Sequence, residues 1–114
     1  MDGVVGVLQF AIDGVSAQQD AIAGNLANSE TPGYIAKDVS FQSSLAQALG
    51  SPNGGAATIT TSDSTAPAAS DGNNVDTGQE LVAAEQATLQ YQTMVEMLNA
   101  QFRLVQGAAG GSFQ

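Results

Sequence analysis

Apolar side chains recur in alternating steps of three and four residues at both ends of the chain, and the pattern lapses between them. The first ladder is Val5, Leu8, Ile12, Val15, Gln19, Ile22 and Leu26; the second is Leu81, Ala84, Thr88, Tyr91, Val95, Leu98, Phe102 and Val105. This spacing lines one seam of an α-helix and keeps it facing a partner helix. It predicts an all-α fold in which long N- and C-terminal helices pair as an antiparallel coiled-coil-like hairpin. Between them lies an irregular loop with room for a short β segment. The apolar members of both ladders, from Val5 to Leu26 and from Leu81 to Val105, are the candidate packing residues, within one subunit or between subunits.

The first helix is expected from about Gly3 to Asn28, with Asp2 as N-cap. Gly6, Gly14 and Gly24 each weaken it by roughly 0.5–1 kcal/mol relative to Ala, so it needs a partner to form fully. Pro32 pushes Thr31 out of the helical region, and Pro32-Gly33 suits a type II turn. Tyr34 to Phe41 reads as extended or irregular, and Ser43 to Leu49 as one helical turn or two. Gly50 to Asn74 has the composition of a flexible loop, with Thr58 to Thr61 as the one stretch able to pair as a strand. Thr77-Gly78-Gln79-Glu80 matches a capping box and opens the second helix. That helix is expected to reach Gln106, about 45 Å at 1.5 Å per residue. Arg103 would complement its C-terminal dipole, and Gly107 and Gly110-Gly111 would end it. The chain reads as a single domain over 1–114, with a loop region at 29–76 and a flexible tail at 107–114.

Much of the outer face of the second helix is carboxamide: Gln79, Gln86, Gln90, Gln92, Asn99, Gln101 and Gln106. Amides donate and accept, so such a face suits lateral packing against like neighbours or plain solvation. With 114 residues, four Phe, two Tyr and no Trp, the globular core would be thin. Oligomerisation is a common remedy for that shortage.

Charge and missing residue types exclude several functions. There is no Cys and no His, which removes thiolate metal sites, disulfides and the usual general base. Two basic residues, Lys37 and Arg103, face eleven carboxylates, for a formal charge of −9. Nucleic acid and anionic membranes call for the opposite sign. The apolar run Val4 to Ile12 follows Asp2 rather than a positive charge, so it does not read as a cleavable signal, and no stretch approaches a membrane span.

Asp71, Asn73 and Asp76 suggest a calcium loop only superficially. Val75, Asp76 and Val82 stand where the motif needs a ligand, a glycine and a bidentate glutamate, so a turn leading into a helix is the better account. Gly50 to Gly55 lacks the lysine and the strand–helix setting of a phosphate loop. No catalytic, cofactor or metal residues are assigned, and enzyme activity is not expected.

One stretch is more specific. Asn25-Leu26-Ala27-Asn28-Ser29-Glu30-Thr31-Pro32-Gly33-Tyr34 resembles the N-terminal signature of the bacterial flagellar axial proteins of rod and hook. Its continuation to Phe41, and Asp71 to Asp76 with Glu80, Tyr91 and Leu98-Asn99-Ala100-Gln101-Phe102 at the far end, is most similar to the proximal-rod members of that family. The resemblance implies a structural subunit of the flagellar basal body, without cofactor, exported unfolded by the flagellar type III apparatus and polymerised into a hollow shaft. That shaft would transmit torque and line the export channel. Implied partners are copies of itself, rod proteins of the FlgC and FlgF type, the adapter protein FliE and the membrane ring.

Within the signature, Asn25 and Asn28 either bond loop backbone or a neighbouring subunit, or cap the helix end. Thr31, Pro32 and Gly33 make the turn. Tyr34 and Phe41 either dock on an adjacent subunit or pack on their own helices. The alternatives to a rod subunit are a small exported helical-hairpin interaction protein or export regulator, and an acidic enzyme or ion-binding domain.

Overall fold

The computed structural model describes residues 2–49 and 57–109. Along the chain run α1 (Asp2–Ala27), β1 (Lys37–Ser40), α2 (Gln42–Leu49), β2 (Thr60–Asp63) and α3 (Thr77–Ala109). The two long helices lie antiparallel: the end of α1 meets the start of α3, where Asn25 donates to Glu80. The molecule is a slat of 64 × 27 × 14 Å with a radius of gyration of 18.0 Å. A compact chain of this length would have a radius near 13 Å.

The core is short and sits where α1, α3 and the start of α2 converge. Ala11, Val15, Phe41 and Ala87 are buried there, with Phe10, Ile22, Leu45 and Met94 packed around them. The inward stripe of α1 is Leu8, Ala11, Val15, Ile22 and Asn25, a fraction of a turn from the ladder that larger apolar residues suggested. Leu8, Val15 and Ile22 belong to both, while Val5, Ile12 and Leu26 flank the contact half-buried.

Small residues explain the rotation. A Cβ on Gly14 would come 2.5 Å from the ring of Phe41, so the missing side chain is what lets the ring lie on the helix backbone. Phe10 meets that ring edge-on, with centroids 6.1 Å apart at 73°, a favoured aromatic geometry. Phe41 is 2% exposed. Of its two expected settings, packing on its own helices is the one found.

The ends of the long helices differ from the sequence reading. At the start of α3 the cap is Asp76, not Thr77. The Asp76 carboxylate accepts from the Gln79 N–H at 3.1 Å and its carbonyl from the Glu80 N–H at 2.9 Å. Glu80, expected to reach back as half of a capping box, turns toward Asn25 instead. At the other end α3 passes through Gly107 to Ala109, so Arg103 does not lie in its last turn. One glycine costs about 1 kcal/mol in a helix, and the alanines that follow are the best helix formers. The expected stop at Gly110-Gly111 lies outside the described residues, as does most of the proposed tail. α1 begins at Asp2 itself, the residue expected to cap it, and its far end tightens as Asn28 and Ser29 donate to the carbonyls three residues back.

The middle is more ordered than its composition suggests. β2 pairs antiparallel with β1, with Lys37 opposite Asp63 and Ser40 opposite Thr60. The strand falls slightly later than the Thr58 to Thr61 stretch, and α2 extends the expected turn to Gln42–Leu49. The Ser64 N–H donates to the Ala36 carbonyl at 2.8 Å. That bond sets the ladder's parity: the peptide groups of Asp38 and Ser40 face β2, and those of Lys37 and Val39 face away. Lys37 and Asp63 form an exposed ion pair across the strands. Residues 50–56 of the expected loop, with the rejected phosphate-loop glycines, lie outside the described residues.

Candidate functional site

The signature residues gather where α1 ends, α3 begins and the hairpin attaches. Pro32 and Gly33 make a type II turn: Gly33 has φ 75°, and the Tyr34 N–H donates to the Thr31 carbonyl at 3.2 Å. Asn28 closes the helix end, its amide donating to the Gly24 carbonyl at 2.9 Å while its oxygen accepts from the Thr31 hydroxyl at 3.1 Å. The Gly33 N–H reaches the Asp71 carbonyl at 2.9 Å. Gly72, at φ 86°, comes so near that a Cβ on it would sit 3.3 Å from the Gly33 Cα. Two left-handed glycines thus let two turns touch backbone to backbone.

Three buried asparagines lock this junction, each using its carboxamide as a substitute peptide group. The oxygen of Asn25, a residue only 1% exposed, accepts from the Lys37 N–H at 2.9 Å. Its nitrogen donates to the Lys37 carbonyl and to Glu80 Oε1, both at 3.0 Å. The outward edge of β1 therefore meets an amide as it would meet a neighbouring strand. Asn73 donates to the carbonyls of Asn28 and Thr31 at 2.8 and 2.7 Å and accepts from the Val75 N–H at 2.8 Å. Asn74 sits in the open end of the hairpin, accepting from the Ala36 N–H at 2.7 Å and donating to the carbonyls of Ser64 and Ala66 at 3.3 and 3.1 Å. Tyr34 points into the same junction, its hydroxyl 3.4 Å from the Asn25 oxygen. Among the described residues every buried side-chain nitrogen and oxygen has a partner.

Of the roles open to Asn25 and Asn28, the structure displays loop bonding for the first and helix capping for the second. The resemblance included Asn73, Asn74 and Glu80 but gave them no role, and sequence reasoning missed their inward bonding. The adjacent pair Asn73-Asn74, in a stretch otherwise rich in small residues, was the available signal.

The Glu80 carboxyl of the junction is electrostatically perturbed. Burial pushes its pKa up; the Asn25 hydrogen bond pulls it partly back, and Asp38 and Asp76 add repulsion in the same direction as burial. It borders an open cleft of about 310 Å³ beneath β1, shared with Gln18, Lys37, Asp38, Gln86 and Gln90. Lys37 is shifted upward by its hydrogen bond and its attraction to Asp63. Among the described residues no group of three His, Cys, Asp or Glu side chains could hold a metal ion. Asp71 and Asp76 instead accept backbone N–H bonds, from Asn73 and Gln79. This is hydrogen-bonding chemistry, suited to fixing shape.

The candidate packing residues divide. Leu8 and Val15 are buried inside the chain; Val5, Ile12, Ile22, Leu26, Val95, Leu98 and Val105 are half-buried; Leu81, Tyr91 and Phe102 remain exposed. A second apolar line on α3 escaped the sequence reading. Val82, Leu89, Met97 and Leu104 follow one another in seven- and eight-residue steps along an exposed side of the helix, and Leu89 is 64% exposed. The same spacing rule, applied to a second face, would have found it. No helix among the described residues is long and apolar enough to cross a membrane.

No protein-family model matches the chain. Individual proteins do. The flagellar basal body rod protein FlgB of Aeromonas hydrophila is 31% identical over 114 residues, spanning 87% of this chain and 86% of that protein. FlgB of Bacillus subtilis is 32% identical over 114 residues and 88% of each chain. FlgB of Salmonella typhimurium is 28% identical over 124 residues and 90% of each.

Proposed function

This chain belongs to the family of the flagellar basal body rod protein FlgB, and on that premise we propose how it serves as a structural subunit of the rod. The observation that carries the assignment is a likeness spread over almost the whole chain in relatives from distant bacteria, rather than confined to one motif. Those relatives are all rod proteins, which does not favour the export-regulator alternative.

In this reading α1 and α3 form a slat, and copies of the slat stand side by side with those of other rod proteins as the proximal wall of a hollow shaft. The exposed residues Leu81, Val82, Leu89, Tyr91, Phe102 and Leu104 supply apolar surface for the contacts with neighbouring subunits. A row of exposed apolar side chains along one helix suits an interaction face. Neighbours of the FlgC and FlgF type, the adapter FliE and the membrane ring would meet different parts of it. Delivery by the type III apparatus without a cleaved signal suits a chain with glycine-weakened helices and a small core, which is readily kept unfolded. The subunit transmits torque and lines the export channel through its contacts alone, with no catalytic step.

Deleting the gene should leave cells non-motile and without a rod; swimming at the parental rate would overturn the assignment. The packing face has its own test. Leu89→Asp should leave the helical content and melting of the free chain unchanged while blocking incorporation into purified basal bodies. Normal incorporation would remove this stripe from the contact surface.

A further inference from the structure

The two edges of the β-hairpin are treated differently. On the β1 side, the outward peptide group of Lys37 is closed by Asn25, and the Val39 carbonyl lies 3.5 Å from the Gln18 amide. On the β2 side, the ladder's parity turns the peptide groups of Thr61 and Asp63 away from β1. Among the described residues nothing bonds to them. All four residues of β2 are exposed. The strand carries no proline and no lysine, and Asp63, its only charge, is already paired with Lys37. Folded proteins ordinarily guard such an edge with one of those devices, because unpaired N–H and C=O groups are a template for another strand.

We propose that two copies of this chain pair through the open edge of β2, antiparallel about Thr61, giving one continuous sheet β1–β2–β2–β1. The register identifies the occupant. With Thr61 opposite Thr61, Ile59 falls opposite Asp63 and Thr60 opposite Ser62, so no like charges meet and a favourable Thr–Thr pair sits at the centre. The charge balance agrees. A chain of formal charge −9 carries a net repulsion between copies, and along this edge the one carboxylate is neutralised by its own cross-strand lysine. The contact is small and therefore weak and concentration-dependent. It is independent of the rod assignment, since it concerns free chains in solution.

Sedimentation equilibrium of the full chain, with two sets of variants, tests the pairing. Thr61→Pro deletes an outward N–H without removing a bond of the β1–β2 ladder. It should preserve circular dichroism and melting while weakening self-association about tenfold or more. Thr61→Val, which keeps the edge and its β-branched side chain, should associate like the parent. The chain has no cysteine, so Thr61→Cys gives an unambiguous second readout. Directly opposed residues in a narrow antiparallel pair lie about 5.5 Å apart at Cα, within disulfide range. Under mild oxidation this variant should form a linked dimer much faster than Ser70→Cys, an exposed position away from the edge. A parent that stays monomeric at every concentration, a Thr61→Pro chain that associates like the parent, or equal cross-linking of the two cysteine variants would each overturn the proposal. Should Thr61→Pro fail to fold, the cysteine pair decides alone.

Discussion

Single residues carry more of this structure than a chain rich in Gly, Ala and Ser suggests, and Asn25 carries the most. Its carboxamide serves a backbone N–H, a backbone carbonyl and a carboxylate at once. Asn25→Ala would leave those groups poorly paired at a buried site, a loss of about 2–3 kcal/mol that urea denaturation would register. Gly14 works by omission. Gly14→Ala raises helix propensity, yet the new methyl collides with the Phe41 ring, so the variant should be less stable by about 1–3 kcal/mol. A double-mutant cycle with Phe41→Leu should recover part of that loss; strict additivity would show that the ring contact is not the cause. Glu80 makes a pH prediction. Burial raises its folded pKa above the unfolded value, so the folded state binds the proton more tightly. The stability gained from this group grows as pH falls from neutrality through the raised pKa, and levels off below the unfolded one. Glu80→Gln keeps an oxygen for Asn25 and removes the charge. It should melt higher than the parent at neutral pH and lose this part of the response to acid.

At the scale of elements, the start of α3 separates two accounts of one sequence. If Asp76 is the cap, Asp76→Ala should cost about 1 kcal/mol while Thr77→Ala changes little; a capping box at Thr77 would reverse the order. Thermal melts of the two variants decide. What could be read in the chain follows from how each element is specified. α1 and α3 were legible because their apolar spacing repeats over many turns, and the Pro32-Gly33 turn because its chemistry is local. The facing stripe was misplaced by part of a turn because Ala11, Gly14 and Ala87 look like gaps in a ladder, whereas close approach needs small residues there. β2 was barely legible. Thr60-Thr61-Ser62-Asp63 is exposed on both faces, so no alternation marks it. Its position is fixed by pairing with β1 and by Asn74, which is distant in sequence from the strand's partner. The clasp was half legible: the resemblance marked both Asn25 to Tyr34 and Asp71 to Asp76 with Glu80, while which side chain bonds which backbone group across them is set by the fold.

For the whole molecule, charge and shape set the behaviour. With eleven carboxylates against two basic residues, self-repulsion opposes both folding and association. Raising sodium chloride from about 10 mM to about 150 mM shortens the Debye length from about 30 to about 8 Å. It should raise the melting temperature and promote association; a melt insensitive to salt would show that the charges are already well separated. The slat geometry has a further consequence. A body only 14 Å thick in one direction has almost no inside, so few positions of the free chain answer to their own neighbours. A saturation scan scored by folding should find its intolerant sites concentrated at Leu8, Ala11, Gly14, Val15, Asn25, Ala36, Phe41, Asn73, Asn74 and Ala87. Scored by swimming, the same library should lose many more variants. The positions intolerant in the second scan alone would trace the outline of every adjoining molecule, turning tolerance to mutation into a footprint of the assembly.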